Sequence, residues 1–400
     1  MNKIIYISGS PIGKTYGLKL GVEWFSNNHI YVEYWNLTSL YYKKNRIESY
    51  FNSAPNYRYK FPIEKEIKYK AEFEVLCKQL PSDSIFCFVD FSFLDYFWIL
   101  RLFNKHNINY FTHPMSTPFN LSKHSNRGIF RKVIDSLKNK NFKYNSVKVL
   151  SHQIMNLKKI IYKKTNYYKK PNFSMGSGIE GVNYWSLVTQ AKLFINVPTT
   201  DIEWKYLPPI IEGKYYIYVD EGITKSADSN LFGANSKGVI LNQSLFLKNL
   251  NNVFDIIEGH MKIPVVIAAT SRCIYSDSSI FSNRKIVYDE SLALIQNSEL
   301  VIGHKSQALF QAVTSKKPIL LLRDENFINN KNEHIYGMSD ILNIDSISTE
   351  NFSIKFLDLL LNKDQKYQSI VERYLCNISD CNLDWRELAL NQIKETIRPL

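Results

Sequence analysis

The chain alternates short, uniformly apolar runs with longer segments whose apolar residues recur every three or four positions. KIIYIS (3–8), YVEYW (31–35), SIFCFVDF (84–91), INYF (108–111) and VKVL (147–150) have the length of buried strands. Segments near 15–27, 66–80, 94–106, 130–140 and 151–165 carry the helical period. A second set begins at KYYIYVD (214–220) and continues through PVVIAAT (264–270), KIVY (285–288), LVIG (300–303) and PILLL (318–322). Strands apolar on both faces and separated by helices predict open, largely parallel sheets covered on both sides. A less regular stretch lies between the sets, and Pro198, Pro208 and Pro209 near its end place a domain boundary around 198–213. The expected fold class is therefore α/β in two domains, residues 1–205 and 206–400, with no short internal repeat. Two amphipathic helices near 351–376 and 384–397 are expected to pack back across the domains.

The densest chemical signal lies in residues 290–322, ESLALIQNSELVIGHKSQALFQAVTSKKPILLL, which reads as helix, strand, turn, helix, strand. The turn GHKSQ (303–307) falls at a strand's carboxyl end and a helix's amino end, where backbone N–H groups and the helix dipole favour an anion. His304, Lys305 and Ser306 stand in that turn, and the pattern predicts a phosphorylated ligand. YVDEGI (218–223) ends another strand with Asp220 and Glu221. Carboxylates so placed project toward the crevice where open α/β sheets bind ligands, as a general base or a nucleophile. The polar loop 224–238 follows, with Asp228 as a further candidate. PVVIAATSRCIYSD (264–277) offers Thr270, Ser271 and Arg272 after a third strand, and Arg272 suits a bidentate phosphate contact.

Weaker candidates sit on the amino-terminal side. THPMSTPFN (112–120) contains His113, which suits a structural turn as well as an acceptor contact, and GSGIEG (176–181) puts Glu180 in a loop near the cleft. GSPIGKT (9–15) has three residues, not four, between its first Gly and the Gly-Lys-Thr. It reads as a glycine-containing strand–helix turn that lets a ligand approach, rather than a nucleotide-wrapping P-loop. No Asp-x-Asp element occurs, so no metal-bridged diphosphate site is expected, and no metal or other cofactor.

Composition sets the remaining bounds. Four hundred residues, 45% hydrophobic, suffice for two domain cores, and no apolar run approaches the roughly 18–20 residues of a membrane span. The amino terminus turns polar after one strand's length, unlike a signal peptide. Five scattered cysteines without a CxxC pair indicate neither a disulfide framework nor a zinc site, which fits a reducing cytoplasm. Much of the +13 net charge sits in residues 131–170, where twelve Lys or Arg face one acid. A solvated face, an anionic membrane surface, a lipid-diphosphate acceptor or RNA would each suit that stretch and its interleaved tyrosines.

Taken in order, these motifs resemble glycosyltransferases of the GT-B type, which have two Rossmann-like domains with the donor nucleotide held by the second. Within that class the chain is similar to bacterial surface-polysaccharide transferases using CMP-activated acidic sugars such as sialic acid, other nonulosonic acids or Kdo. Their acidic-acidic-Gly motif matches Asp220, Glu221 and Gly222, and their Ser/Thr turn matches Ser306. Their His-Pro motif is replaced here by Thr270 and Ser271, with Arg272 kept, which hands the phosphate role to Arg272, Lys305 or His304. The similarity spans mainly residues 214–322. It implies a nucleotide-sugar donor, a glycan or polyprenyl-diphosphate or glycolipid acceptor, and a role in lipopolysaccharide or capsule synthesis. The enzyme would be cytoplasmic and peripheral at the inner membrane, with residues 131–170 toward the lipid. A sugar-nucleotide epimerase or hydrolase, a non-catalytic polysaccharide-assembly protein and a nucleic-acid-binding protein are the alternatives. The last would explain the charge but neither the acidic motif nor the phosphate turn.

Overall fold

The computed structural model describes residues 3–89, 93–113, 161–162, 164–222, 224, 227, 231, 242–327, 331–361, 367–376 and 384–397. Two sheets organise them. The first contains β1 (Lys3–Ser8), β2 (Tyr31–Asn36), β3 (Glu64–Glu66), β4 (Ser84–Phe88), β5 (Tyr110–Thr112), β6 (Phe173–Gly176) and β7 (Leu193–Asn196). The second contains β8 (Tyr216–Val219), β9 (Val265–Ala269), β10 (Ile286–Tyr288), β11 (Leu300–Gly303), β12 (Ile319–Arg323) and β13 (Ser346–Ser348). The strand orders are β3-β2-β1-β4-β5-β6-β7 and β10-β9-β8-β11-β12-β13, parallel at each pairing.

Both orders run outward in opposite directions from one central pair, β1/β4 in the first sheet and β8/β11 in the second. At such a reversal the crossover helices leave to opposite faces, so a crevice opens beyond the strands' carboxyl ends. The turn after β1 and the Asp220–Gly222 turn after β8 therefore sit at their sheets' crevices.

Central strands are buried along their whole length, as their apolar runs predict: YIYV in β8, VVIAA in β9 and LVIG in β11. The helix Gln243–Met261 covers part of the second sheet. It starts at Asn242, whose side chain accepts the Leu245 N–H, and buries Phe246, Leu250, Val253, Phe254 and Ile257 along one face.

Several elements differ from the pattern. The helix expected over 15–27 divides at Gly21 into Lys14–Lys19 and Val22–Asn27. The irregular stretch before the boundary contains β6, the helix Gly178–Thr189 and β7. The helix expected over 351–376 breaks into Ile354–Leu361 and a segment from Gln368 that ends in a wider turn at Val371–Leu375. Cys376 carries a disulfide, whereas Cys77, Cys87 and Cys273 are buried thiols. VKVL (147–150), the segment 130–140 and most of 151–165 lie outside the described residues, as does the lysine-rich stretch up to residue 160.

The chain crosses back at its end. Thr199 N–H donates to the Leu375 carbonyl (2.8 Å), and the helix Trp385–Ile397 buries Ala389, Leu390 and Ile393 in the first sheet's core beside Ile4, Phe25 and Ile85. The crossing is tight at Gly178, which has φ +64°, and a Cβ there would stand 2.6 Å from the Arg373 carbonyl oxygen. Backbone cannot swing aside as a side chain can. Gly178→Ala is therefore expected to cost about 2 kcal/mol, read as a lower apparent melting temperature; an unchanged melt would show that the crossing segment yields. Among the described residues no helix is long and apolar enough to cross a membrane.

Candidate active site

A cavity of about 560 Å3 lies between the two crevices, a size typical of small-molecule sites. The first domain contributes the turn Ser10–Gly13 together with Tyr16, Lys19, Tyr50 and Tyr57; the linker contributes Asp201. The second domain contributes the ends of its strands. After β8 come Asp220 and Glu221; after β9, Thr270 and Arg272; after β10, Asp289; after β11, Ser306.

The acidic turn is held from several directions. Gly222 has φ +67°, and this left-handed bend turns its N–H back to donate to Asp220 Oδ1 (3.0 Å). Tyr275 O–H donates to Asp220 Oδ2 (2.6 Å). Burial, and next the Asp220 carboxylate, push the Tyr275 phenol far above its usual range, so it remains the donor. Asp220 is thus buried with a donor on each oxygen. Glu221 is half-buried, and Oε1 accepts the Lys305 N–H (2.5 Å), a bond that ties the β8 turn to the β11 turn.

Arg272 reaches across the cleft. Its guanidinium lies over the Tyr57 ring, 5.7 Å from the centroid, so a second-domain cation meets a first-domain aromatic. The Tyr57 ring packs edge-on to Tyr50 and occupies the space beside Gly13, where a Cβ would come within 2.1 Å of it. Ala227 and Leu231, which follow the acidic turn in sequence, are buried against Tyr50 and Ala54, joining the domains over one side of the cavity. Nearby, Ser271 is buried and its N–H donates to Asp289 Oδ1 (3.0 Å), which braces the loop after β9 against β10.

The turn after β11 departs from its expected role in two respects. His304 does not face the cavity: it is fully buried, with rings of Tyr218, Phe246 and Phe327 around it. Its Nδ1 donates to the Leu322 carbonyl (2.7 Å) and its Nε2 accepts from Tyr218 O–H (3.0 Å). That histidine is a hydrogen-bonded core residue joining β8, β11 and β12, not a phosphate contact. The following helix, Leu309–Thr314, is only six residues long and so contributes a small dipole. Ser306 does line the cavity, and its Oγ accepts the Ala308 N–H (3.2 Å).

The remaining candidates fall elsewhere. His113 is buried at the end of β5 with its ring edge-on to Trp385 of the terminal helix (4.5 Å), away from the cavity lining. Glu180 is in the first turn of the helix Gly178–Thr189, not in a loop, and pairs with Arg373 (2.7 Å). Asp228 lies outside the described residues. Conversely, the motifs did not single out Tyr16, Lys19, Tyr57, Asp201 or Asp289. The glycine turn 9–15 was the available pointer to Tyr16, which directly follows it. Among the described residues no three His, Cys, Asp or Glu side chains converge as a metal ion would require.

Comparison with known proteins gives one line of support, and it concerns the fold. No protein-family model matches the chain, and no curated protein matches its sequence. Among solved structures, the calicheamicin glycosyltransferase CalG4 aligns over 100% of both chains with a TM-score of 0.53 at 8% identity. The glycotransferase of kitacinnamycin aligns over 98% of both chains at 11% identity with a TM-score of 0.48. The UDP-GlcNAc 2-epimerase from Methanocaldococcus jannaschii aligns over 97% of this chain and 99% of its own at 12% identity, with a TM-score of 0.47. Two parallel Rossmann-like sheets facing across a cleft, in the arrangement of CalG4, define the fold class as GT-B.

Proposed function

We propose that the protein is a nucleotide-sugar-dependent glycosyltransferase whose reaction takes place in the interdomain cavity. The observation that carries the reading is the meeting, in one cavity, of a carboxylate turn at one switch point and an arginine from the adjacent strand. Glu221 accepts the proton of the acceptor hydroxyl. The acceptor oxygen forms its bond to the anomeric carbon, and the bond from that carbon to the phosphate oxygen breaks with its electron pair leaving on the phosphate. Arg272 meets that developing charge, and Ser306 supplies a hydroxyl at the same end. Asp220, with a donor on each oxygen, shapes the turn that presents Glu221. A sugar-nucleotide epimerase or hydrolase is the second reading, but a proton-accepting carboxylate and an arginine meeting in a cavity that first-domain side chains also line favour transfer to an acceptor.

For the donor we propose a CMP-linked acidic sugar, on the resemblance of the 214–322 motifs. A single phosphate asks for less positive charge than a diphosphate, and Arg272 with the Ser306 turn supplies that much. No metal is required in this reading, because Asp220 and Glu221 are already engaged by Gly222, Tyr275 and Lys305. The acceptor belongs to a bacterial lipopolysaccharide or capsule, and the lysine-rich 131–170 stretch draws the enzyme to an anionic membrane surface.

Purified protein incubated with CMP-Kdo, CMP-sialic acid, UDP-glucose and UDP-N-acetylglucosamine, with and without a glycolipid extract, tests these steps by released nucleotide. The expected result is acceptor-dependent CMP release that persists in EDTA. Release of UDP alone would overturn the donor assignment. Loss of activity in EDTA would overturn the metal-independent step, and epimerised sugar nucleotide without acceptor would favour the second chemistry.

A further inference from the structure

On the first-domain side of the cavity stands an ion pair to which the chemistry above gives no task. Lys19 closes the short helix after the β1 turn, and Asp201 lies in the linker between the sheets. Their Nζ and Oδ1 atoms are 3.4 Å apart, and their side chains are 21% and 16% exposed. A charge-assisted bond is shortest and strongest at about 2.7–2.9 Å, so this one is loose. Two largely desolvated charges recover their burial cost only when the geometry is close and the remaining donors and acceptors are satisfied. Among the described residues neither side chain has another partner. One carboxylate oxygen and two ammonium N–H groups are left to the cavity that both residues line.

The backbone around Asp201 is fixed on both sides. Asp201 N–H donates to Thr199 Oγ1 (3.3 Å), and Glu203 N–H donates to Gln311 Oε1 (2.7 Å). The Gln296 and Gln311 side-chain amides in turn donate to the Glu203 carbonyl (3.1 Å each). Beside the pair, Tyr16 O–H donates to the Val89 carbonyl (2.9 Å), which holds its ring on the same wall.

We propose that Lys19 and Asp201 bind a vicinal diol of the acceptor, so that the acceptor enters as a neutral sugar ring with Tyr16 as its apolar platform. This rests on the glycosyl-transfer reading of the cleft. One hydroxyl donates to Asp201 Oδ2 while its neighbour accepts one N–H of Lys19 Nζ, which engages both groups without adding net charge. A phosphate or diphosphate in the same place would face the Asp201 carboxylate.

Ligand-observed NMR on the full chain, with methyl β-glucoside, methyl β-galactoside and methyl N-acetyl-β-glucosaminide as probes, tests the pair. At least one glycoside should bind the wild type. Asp201→Asn and Lys19→Gln should each weaken it by about tenfold or more, and Asp201→Glu should recover part of the loss. Circular dichroism checks that the variants fold, and the CMP-induced rise in melting temperature should persist in them. Glycoside binding unchanged in both variants, or absent from wild type, overturns the assignment. So does displacement of the glycoside by farnesyl diphosphate with an affinity that Lys19→Gln reduces. If neither CMP nor UDP binds while a glycoside still depends on Lys19 and Asp201, the pair stands as a sugar site and the donor reading fails instead.

Discussion

Glu221→Gln is expected to lower donor- and acceptor-dependent turnover by roughly 10²–10⁴-fold, the usual contribution of a positioned proton acceptor. The amide keeps the side chain's size, and its oxygen can still accept the Lys305 N–H that ties the two turns. Folding and donor affinity should therefore change little, and the loss should fall on kcat. Asp220→Asn is the contrasting case. Its oxygen retains the Gly222 N–H, while the new NH2 meets the Tyr275 hydroxyl, which must rotate to accept. The expected loss is about tenfold, from a loosened turn rather than a missing base. Steady-state kinetics on the two variants decide the matter. Near-wild-type turnover in Glu221→Gln, or a larger loss in Asp220→Asn, would transfer the reacting role to Asp220.

Most strands legible in the amino-acid sequence are buried on both faces; the half-buried edge strand β10 was also read, from KIVY, while the interior β6, only four residues long and broken by Ser174 and Gly176, was not. β1, β8, β9, β11 and β12 are central strands, and short apolar runs of this kind are the mark of strands covered on both faces of an α/β sheet. The missed strands are short. EKE in β3 and SIS in β13 lie at sheet edges, where one flank is unpaired and burial does not constrain composition. β7 is likewise an edge strand, and Leu193 in it is exposed. The site divides along a similar line. Asp220, Glu221, Arg272 and Ser306 follow strands that the pattern locates, so their placement in the cavity follows from topology.

His304 shows where that logic stops. Its polar side chain in an anion-favouring turn looks functional, but the side chain turns inward, where Leu322 and Tyr218 satisfy both nitrogens. A sequence does not reveal a buried partner 18 or 86 residues away. Lys19 and Asp201 were hidden for the complementary reason. Their meeting depends on how the linker folds against the first helix, and neither stands in a motif.

Arg272→Ala should be the second most damaging change. Removing a preorganised donor aimed at developing charge costs about 10²–10³-fold in rate. The guanidinium over Tyr57 makes a specific version of this expectation possible. The guanidinium lies 5.7 Å from the ring centroid, and a guanidinium's fork geometry suits two parallel bonds to a phosphate. Lysine matches the charge but not the fork, so Arg272→Lys should recover only a small part of the loss. The deficit should follow the phosphate: both variants should bind CMP more weakly than wild type yet bind cytidine equally well, as isothermal titration can measure. Equal weakening for cytidine and CMP would place Arg272 against the nucleoside instead, and full recovery in Arg272→Lys would show that a point charge suffices and that the Tyr57 contact orders the cleft without orienting the phosphate.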